Sequence, residues 1–364
     1  MSHSTTVVGL DVHKDSISAA VLQPEARSFA LTTKFANEPG EVRRFVGRLA
    51  RFAPLEFVYE AGPCGYQLHR ELAALGERCT VIAPAMTPKT PGDRVKTDRR
   101  DAEKLAQLHR AGQLTPVRVP TREEEAARDL TRVREDALVD RLRARHRLSK
   151  FLLRQGLIWR ETKNWGVKHR AWIRQQRFDF EALQRSFESY VRAVEEAEAR
   201  LADLDRQVLE LAQQPAWKDV VSRLRSLKGI DTLSALILAV EVQDFRRFSK
   251  VRQFMGFTGL VSREYSSGNS VRRGHITKVG NAHVRRVLVE AAWNYSRGTA
   301  TGPVLAKRRE GCSQEVLSIA RRAQERLTRK FRKLSGRGKL RQIIVVSVAR
   351  ELAGFVWAVG QTMP

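Results

Sequence analysis

From Leu183 to Leu211 the apolar residues Leu183, Phe187, Tyr190, Val194, Ala197, Leu201, Leu204, Val208 and Leu211 recur at alternating intervals of four and three. A strand alternates every second residue and cannot present this pattern, which is the a/d seam of a helix sustained for about four heptads. A helix that long with one apolar stripe needs a second helix beside it. The segment from Thr121 has helical composition and a dense run of cations at Arg128, Arg132, Arg134, Arg141, Arg143, Arg145, Arg147 and Arg154. The seam either packs back on that segment as a hairpin or pairs with another subunit. Few acids follow Asp140 in the arginine run, so it reads as a surface that tracks a nucleic-acid backbone, a solvated face being the plainer alternative. Trp159, Trp165 and Trp172, interleaved with cations, either stack on unpaired bases or pack internally.

Upstream, the periods change. Thr6 to Asp11 and Ser16 to Leu22 are β-prone runs joined by the polar turn His13-Lys14-Asp15, and a third run around Phe29 to Thr33 completes a meander. Gly40 to Phe52 has helical spacing, Phe57 to Glu60 is a short strand, Tyr66 to Leu75 a helix and Thr80 to Ile82 another strand. Strands alternating with helices after a meander predict an α/β domain on one sheet. Its acids sit at element ends: Asp11 in the first strand, Glu60 before a glycine turn, and Asp98 and Asp101 three apart on a helix, hence on one face. Strand ends and a helix start can converge on one point, and four acids brought together need a cation. Hard oxygen ligands select Mg2+ or Mn2+, which serve phosphodiester displacement. Lys96, Arg99 and Arg100 stand ready to hold a nucleic-acid backbone. Taken singly, Asp11 ends a strand, Glu60 is a solvated strand end, Asp98 caps a helix, and Asp101 and Glu103 pair with neighbouring cations; Asp15 and Asp93 read as turn residues.

Downstream, Thr258 to Trp293 begins as a loop and ends as a helix. It holds the adjacent hydroxyls of Ser266 and Ser267, the glycines Gly268, Gly274 and Gly280, and cations at Arg272, Arg273, Lys278, Arg285 and Arg286. Glycines admit a phosphate close to the backbone and arginines match its oxygens. A nucleophile aimed at phosphorus and a basic loop that only grips phosphate both fit. Leu224 to Val242 resembles a helix-hairpin-helix turn at Gly229, with Asp231 where such hairpins often carry a second glycine. The segment Arg308 to Arg341 sets Arg322, Arg326, Arg329, Lys330 and Lys333 opposite an apolar stripe.

The fold class expected is therefore α/β plus mainly α, in three parts: residues 1–118, a basic helical and coiled-coil region 119–215, and a mainly helical part 216–364. A formal charge of +26 points to polyanions. The opening residues lack a signal-peptide pattern, and Ile343 to Val359, interrupted by Arg350 and Glu351, reads as a buried helix, so no membrane partner is expected. Cys64, Cys79 and Cys312 fit a reducing cytoplasm and no zinc cluster.

The strings GLDVHKD, YEAG and KTDRRDAEKLA, followed by LKGIDTLSALILAVEV, FMGFTGLVSREYSSG, GHITKVGNAHVRRVLVEAAW and ARELAGFVWAV, resemble the DEDD transposases of bacterial insertion sequences. This is the IS110 family, which includes the Piv-type invertases and bridge-RNA-guided recombinases. The resemblance implies a RuvC-like domain of RNase H fold whose four metal-binding acids are Asp11, Glu60, Asp98 and Asp101. It implies that Ser267, just before the glycine of the SG pair, is the nucleophile of a 5′-phosphoserine intermediate; Ser262 and Ser270 are weaker candidates. It further implies donor and target DNA, a structured guide RNA from the element, a homo-oligomer between dimer and tetramer with a composite site, and a place in the bacterial cytoplasm at the nucleoid. Two other readings stay open: a metal-dependent nuclease or junction resolvase using water, and a non-catalytic nucleic-acid-binding protein.

Overall fold

The computed structural model describes residues 5–88, 97–161, 163–268 and 270–362, so Lys96 and Asp93 lie outside the described residues. The chain divides into two compact units, Met1–Pro120 and Thr121–Pro364.

The first unit is built on a five-stranded sheet of order β3-β2-β1-β4-β5. Strands β1 (Thr6–Val12), β2 (Ser16–Leu22) and β3 (Leu31–Ala36) form the expected meander. Helix α1 (Pro39–Leu49) leads to β4 (Leu55–Glu60), and α2 (Gln67–Ala74) to β5 (Arg78–Ile82). Both crossovers make parallel pairs, β1 with β4 and β4 with β5. This arrangement is compatible with an RNase H-like DEDD domain. Val8, Leu10, Phe57 and Tyr59 face α1 and α2, joining Val42, Phe45, Leu68 and Leu72 in one core. The opposite face is covered by α3 (Asp98–Arg110), through Val7, Val58, Leu105 and Ala106. Helix α3 lies so close to β1 that a Cβ on Gly9 would sit 2.1 Å from the Ala102 carbonyl oxygen. Only a residue without a side chain allows that approach.

In the second unit α4 (Arg122–Arg154) starts at Thr121, which forms a reciprocal capping box with Glu124. After α5 (Val167–Gln175) comes α6 (Glu181–Leu211), the heptad helix, whose seam packs along α4: Ala137 meets Leu201 and Leu204, and Phe151 meets Phe187. The hairpin alternative is therefore the one realised. Part of the arginine run is paired internally, while Arg143, Arg147 and Arg154 stay exposed. Arg134 reaches Asp205 at 2.7 Å and Arg145 reaches Glu198 at 2.5 Å, both on α6. The missing acids are supplied across the hairpin instead of downstream in the same helix. Trp159, Trp165 and Trp172 gather their rings on His169, at 5.3, 5.4 and 5.7 Å between centroids, so they pack internally.

The main core of this unit lies among α7 (Pro215–Leu224), α8 (Thr232–Val242), α9 (Val251–Thr258), α10 (Ala282–Ala292), α12 (Gln314–Gly336) and α13 (Arg341–Gln361), with the short α11 (Pro303–Arg309) between α10 and α12. Asp231 caps α8 by accepting from the Thr232 amide, so the turn after α7 joins two helices with its acid already engaged. Helix α13 is long and apolar enough to cross a bilayer by length and composition, yet half of its most apolar window is buried, with Ile344, Val348, Leu352 and Val356 in this core. Between α9 and α10 the expected loop is a small ribbon, β6 (Ser262–Glu264) antiparallel to β7 (Arg273–Ile276).

Candidate active-site residues

The two sets of expected residues fall in different units. In the first, the sheet register does much of the positioning. Leu10 pairs with Tyr59, so one step further Asp11 stands beside Glu60 at the ends of parallel neighbours. Side chains two apart share a face, so Asp11 points with Gly9 toward α3. Glu56 lies on that face too, 2.9 Å from His109 near the end of α3. Helix α3 thus runs opposite to β1 and β4 and brings its N-terminus, with Asp98 and Asp101, to the strand ends. Its cap is Thr97, whose hydroxyl accepts from the Arg100 amide at 3.3 Å; Asp98 is the first helical residue, so the plainer reading of Asp98 as cap is corrected. The positive end of the helix dipole faces the acids.

Asp11, Asp98 and His13 form the tight group: one ligand atom from each lies within 4.8 Å of the others. The His13 Nε2 sits 3.1 Å from Asp11 Oδ2 and 3.6 Å from Asp98 Oδ1. Across three strands Asp11, Ser18 and Lys34 share one level, and Lys34 Nζ donates to Asp98 Oδ2 at 2.9 Å. Burial pushes the Asp11 carboxyl up, His13 opposes this, and the negative charges of Asp101 and Asp98 add to the rise. The bond from Lys34 holds Asp98 below the usual carboxylate range. Glu60 is outside the tight group; its Oε1 accepts from the Thr87 hydroxyl at 2.8 Å. Arg99 pairs with Glu103 at 2.8 Å on the same helix, and Arg100 contributes its backbone amide to the cap.

Two members of this cluster escaped the sequence reading. His13 follows Asp11 at the spacing that shares a strand face, a signal that the polar turn His13-Lys14-Asp15 obscures. Lys34 carries no local signal, because only strand pairing brings it to Asp98.

The second set sits on the β6–β7 ribbon. Its base is pinned to the end of α9: Thr277 N donates to Val261 O at 2.8 Å, Lys278 N to Gly259 O at 3.1 Å, and Asn281 N to Phe257 O at 2.8 Å. Gly280 has φ +108°, and a Cβ there would meet the Phe257 carbonyl oxygen at 2.2 Å. Asn281 caps α10 through Val284 N and gives its side-chain amide to Glu241 at 2.7 Å. Glu241, buried on α8, also takes two bonds from Arg132, at 2.9 and 3.1 Å. Burial works against its charge, but Arg132 and Asn281 override that and hold the carboxyl below its ordinary value.

At the tip, Ser267 and Ser270 exchange backbone bonds of 3.1 Å, and both are exposed. The Ser266 hydroxyl donates to Glu264 at 2.8 Å, whereas the Ser267 hydroxyl makes no hydrogen bond among the described residues. Arg272 and Lys278 are exposed, and Arg273 lies 3.5 Å from Glu264. Arg285 and Arg286 are tied into the fold. The first donates to Thr258 O at 3.0 Å, and the second pairs with Glu135 at 2.9 Å and Glu290 at 3.0 Å.

Comparison with known proteins adds a second line of evidence. A DEDD transposase profile of IS110 type matches residues 8–155, and that of the "Transposase IS116/IS110/IS902 family" matches residues 221–304. The acid cluster lies within the first match and the serine ribbon within the second. A putative transposase, y4qE, of Sinorhizobium fredii is 40% identical over 359 residues, covering 97% of this chain and 88% of the relative. The transposase for insertion sequence element IS1533 of Leptospira borgpetersenii is 33% identical over 336 residues, covering 91% and 97%. That for IS1328 of Yersinia enterocolitica is 25% identical over 297 residues, covering 80% and 84%. With matches to both halves and relatives aligned along nearly its whole length, the chain belongs to the IS110 family of transposases, enzymes that act on DNA.

Proposed function

We propose that this transposase cuts and rejoins DNA through a covalent serine–phosphate intermediate, in three functional parts: an acid domain (1–118), a basic helical region (119–215) and a serine-bearing domain (216–364). The Ser267 oxygen attacks the scissile phosphorus, an O–P bond forms, and the bridging bond to the 3′ oxygen breaks. The serine proton leaves to solvent or a nearby carboxylate, and the 3′ oxygen departs as a hydroxyl by taking a proton from solvent. A 3′ hydroxyl of the partner strand then attacks the same phosphorus and returns the serine hydroxyl. The observation that carries this choice of nucleophile is the contrast at the ribbon tip: Ser266 is engaged by Glu264, and Ser267 is exposed with its hydroxyl unclaimed among the described residues.

Asp11 and Asp98, with Asp101 as a charge neighbour, suit a hard divalent cation, which would offset the burial that pushes the Asp11 carboxyl up and the lesser repulsion from Asp101 and Asp98. Glu60, at the neighbouring strand end, would be the further acid of the set. When bound, Mg2+ or Mn2+ supplies charge stabilisation at the phosphate. His13 and Lys34 position Asp11 and Asp98 toward that place. Arg272, Arg273 and Lys278 hold backbone phosphates near the serine, and Arg99 and Arg100 do so near the acids, with Lys96, shortly before them in the sequence, binding the same backbone. The acids and the serine serve one reaction in a dimer or tetramer, with an element-encoded structured RNA pairing to donor and target DNA in the bacterial cytoplasm.

The test combines purified protein, Mg2+, DNA carrying joined element ends, a target duplex and RNA transcribed from the element's flank. A denaturing gel reads protein covalently attached to DNA. The adduct should form in wild type and Ser266→Ala and vanish in Ser267→Ala and Asp11→Ala. Cleavage without adduct, unchanged by Ser267→Ala, would establish water as nucleophile instead.

A further inference from the structure

The second unit carries a groove lined by residues of α9, α12 and α13. It has a volume of about 1010 Å3 and runs between α12, α13 and α9. Six cations line it against two carboxylates, Glu325 and Glu351. Glu351 is already engaged by Arg326 at 2.9 Å and Lys330 at 2.8 Å. The remaining four, Arg322, Arg329, Lys333 and Arg337, are exposed and make no ion pair among the described residues. Counted from Arg322 along α12 to its C-cap Arg337, they fall at intervals of seven, four and four, so they form one row about 22 Å long at the rise of an α-helix. The other wall is apolar: Met255, Phe355 and Ala358, with Trp357 held in place by its indole N–H donating to Phe248 O at 3.0 Å.

A cationic row facing an aromatic and aliphatic wall is matched to a particular shape of polyanion. Duplex DNA would place sugars and phosphates on both sides and leave the apolar wall without a partner, since its bases are stacked inside. An unpaired strand offers phosphates to the row and base faces to Phe355 and its neighbours. Exchanging strands necessarily frees unpaired DNA. We infer that this groove holds a single strand of DNA parted from its duplex during transposition. This inference rests on the transposase assignment but not on the identity of the nucleophile.

The test is a binding measurement on the full chain, which needs no cleavage and so is independent of the serine chemistry. Fluorescence anisotropy follows labelled single-stranded DNA of about 12 nucleotides, the matching duplex, and RNA of the same sequence, each across a salt series. In Arg329→Ala/Lys333→Ala the slope of log affinity for single-stranded DNA against log salt should fall by roughly 1.4, from two lost phosphate contacts, while duplex affinity holds. Phe355→Leu should weaken the single strand about tenfold with its salt slope unchanged, by losing a stacking face. In wild type, the single strand should protect Lys333 from amine acetylation and the duplex should not. Equal losses for duplex and single strand would overturn the inference, as would unaltered single-strand binding in both variants. RNA bound tenfold more tightly than DNA, with the same dependence on Arg329 and Lys333, would overturn the assignment to DNA.

Discussion

Glu241→Ala should be among the most damaging single changes in the second unit, although Glu241 lies outside both expected chemical sites. Its side chain is 1% exposed, and it accepts from Arg132 twice and from Asn281 once, with Arg128 at 3.9 Å. Removing one partner of a buried charged pair costs about 3–5 kcal/mol. Arg132 is 41% exposed and can rehydrate, which favours the lower end, about 3 kcal/mol. The Asn281 amide loses its acceptor as well, adding about 1 kcal/mol. For a unit of this size 1 kcal/mol moves Tm by roughly 2–4 °C, so a fall on the order of 10 °C is expected by far-UV circular dichroism near neutral pH. Glu241→Gln, which keeps the volume and one acceptor, should fall less. The sign with pH follows from the depressed carboxyl. Its stabilisation is complete above the ordinary value of 4.5 and is lost as pH drops through the lower folded value. The gap between wild type and Glu241→Gln should therefore close in acid. A fall under about 2 °C for Glu241→Ala, or a gap independent of pH, would refute the idea that this carboxylate ties α8, α4 and the base of the serine ribbon together.

Other outcomes are equally specific. Asp11→Asn should abolish adduct formation yet raise the Tm of metal-free protein above the carboxylate range. Asp11 titrates above its ordinary value, so its ionised form costs the fold stability there and the gain should disappear in acid. Magnesium should raise the Tm of wild type and leave Asp11→Asn nearly unmoved. Gly9→Ala should push α3 off β1, because its Cβ would overlap the Ala102 carbonyl, and should weaken metal binding measured by calorimetry together with stability. Glu198→Ala strands Arg145 and Arg170, both bonded to it, and should lower the unfolding temperature by several degrees without changing adduct yield per folded molecule.

What could be read from the chain alone was what short stretches encode. The β-prone runs of β1 and β2, the seam of α6 and the helical composition from Thr121 each depend on neighbours within a few residues, so local sterics and local hydrogen bonds write them directly. The acids Asp11, Glu60, Asp98 and Asp101 were legible as element ends, because strand and helix termini are marked by their own sequence. Pairings between distant segments were not legible. Lys34 meets Asp98 only after β3 has joined the sheet and α3 has crossed it. Arg134 and Arg145 looked unpartnered because their acids lie on α6, and Arg286 looked available for phosphate until Glu135 came beside it. Charge pairing acts over a few ångströms of space, whatever the separation along the chain. The sequence by itself determined which residues carry charge and which segments bury an apolar face. Only the tertiary structure decided which charges neutralise each other and which remain exposed, because pairing depends on distance in space and not along the chain.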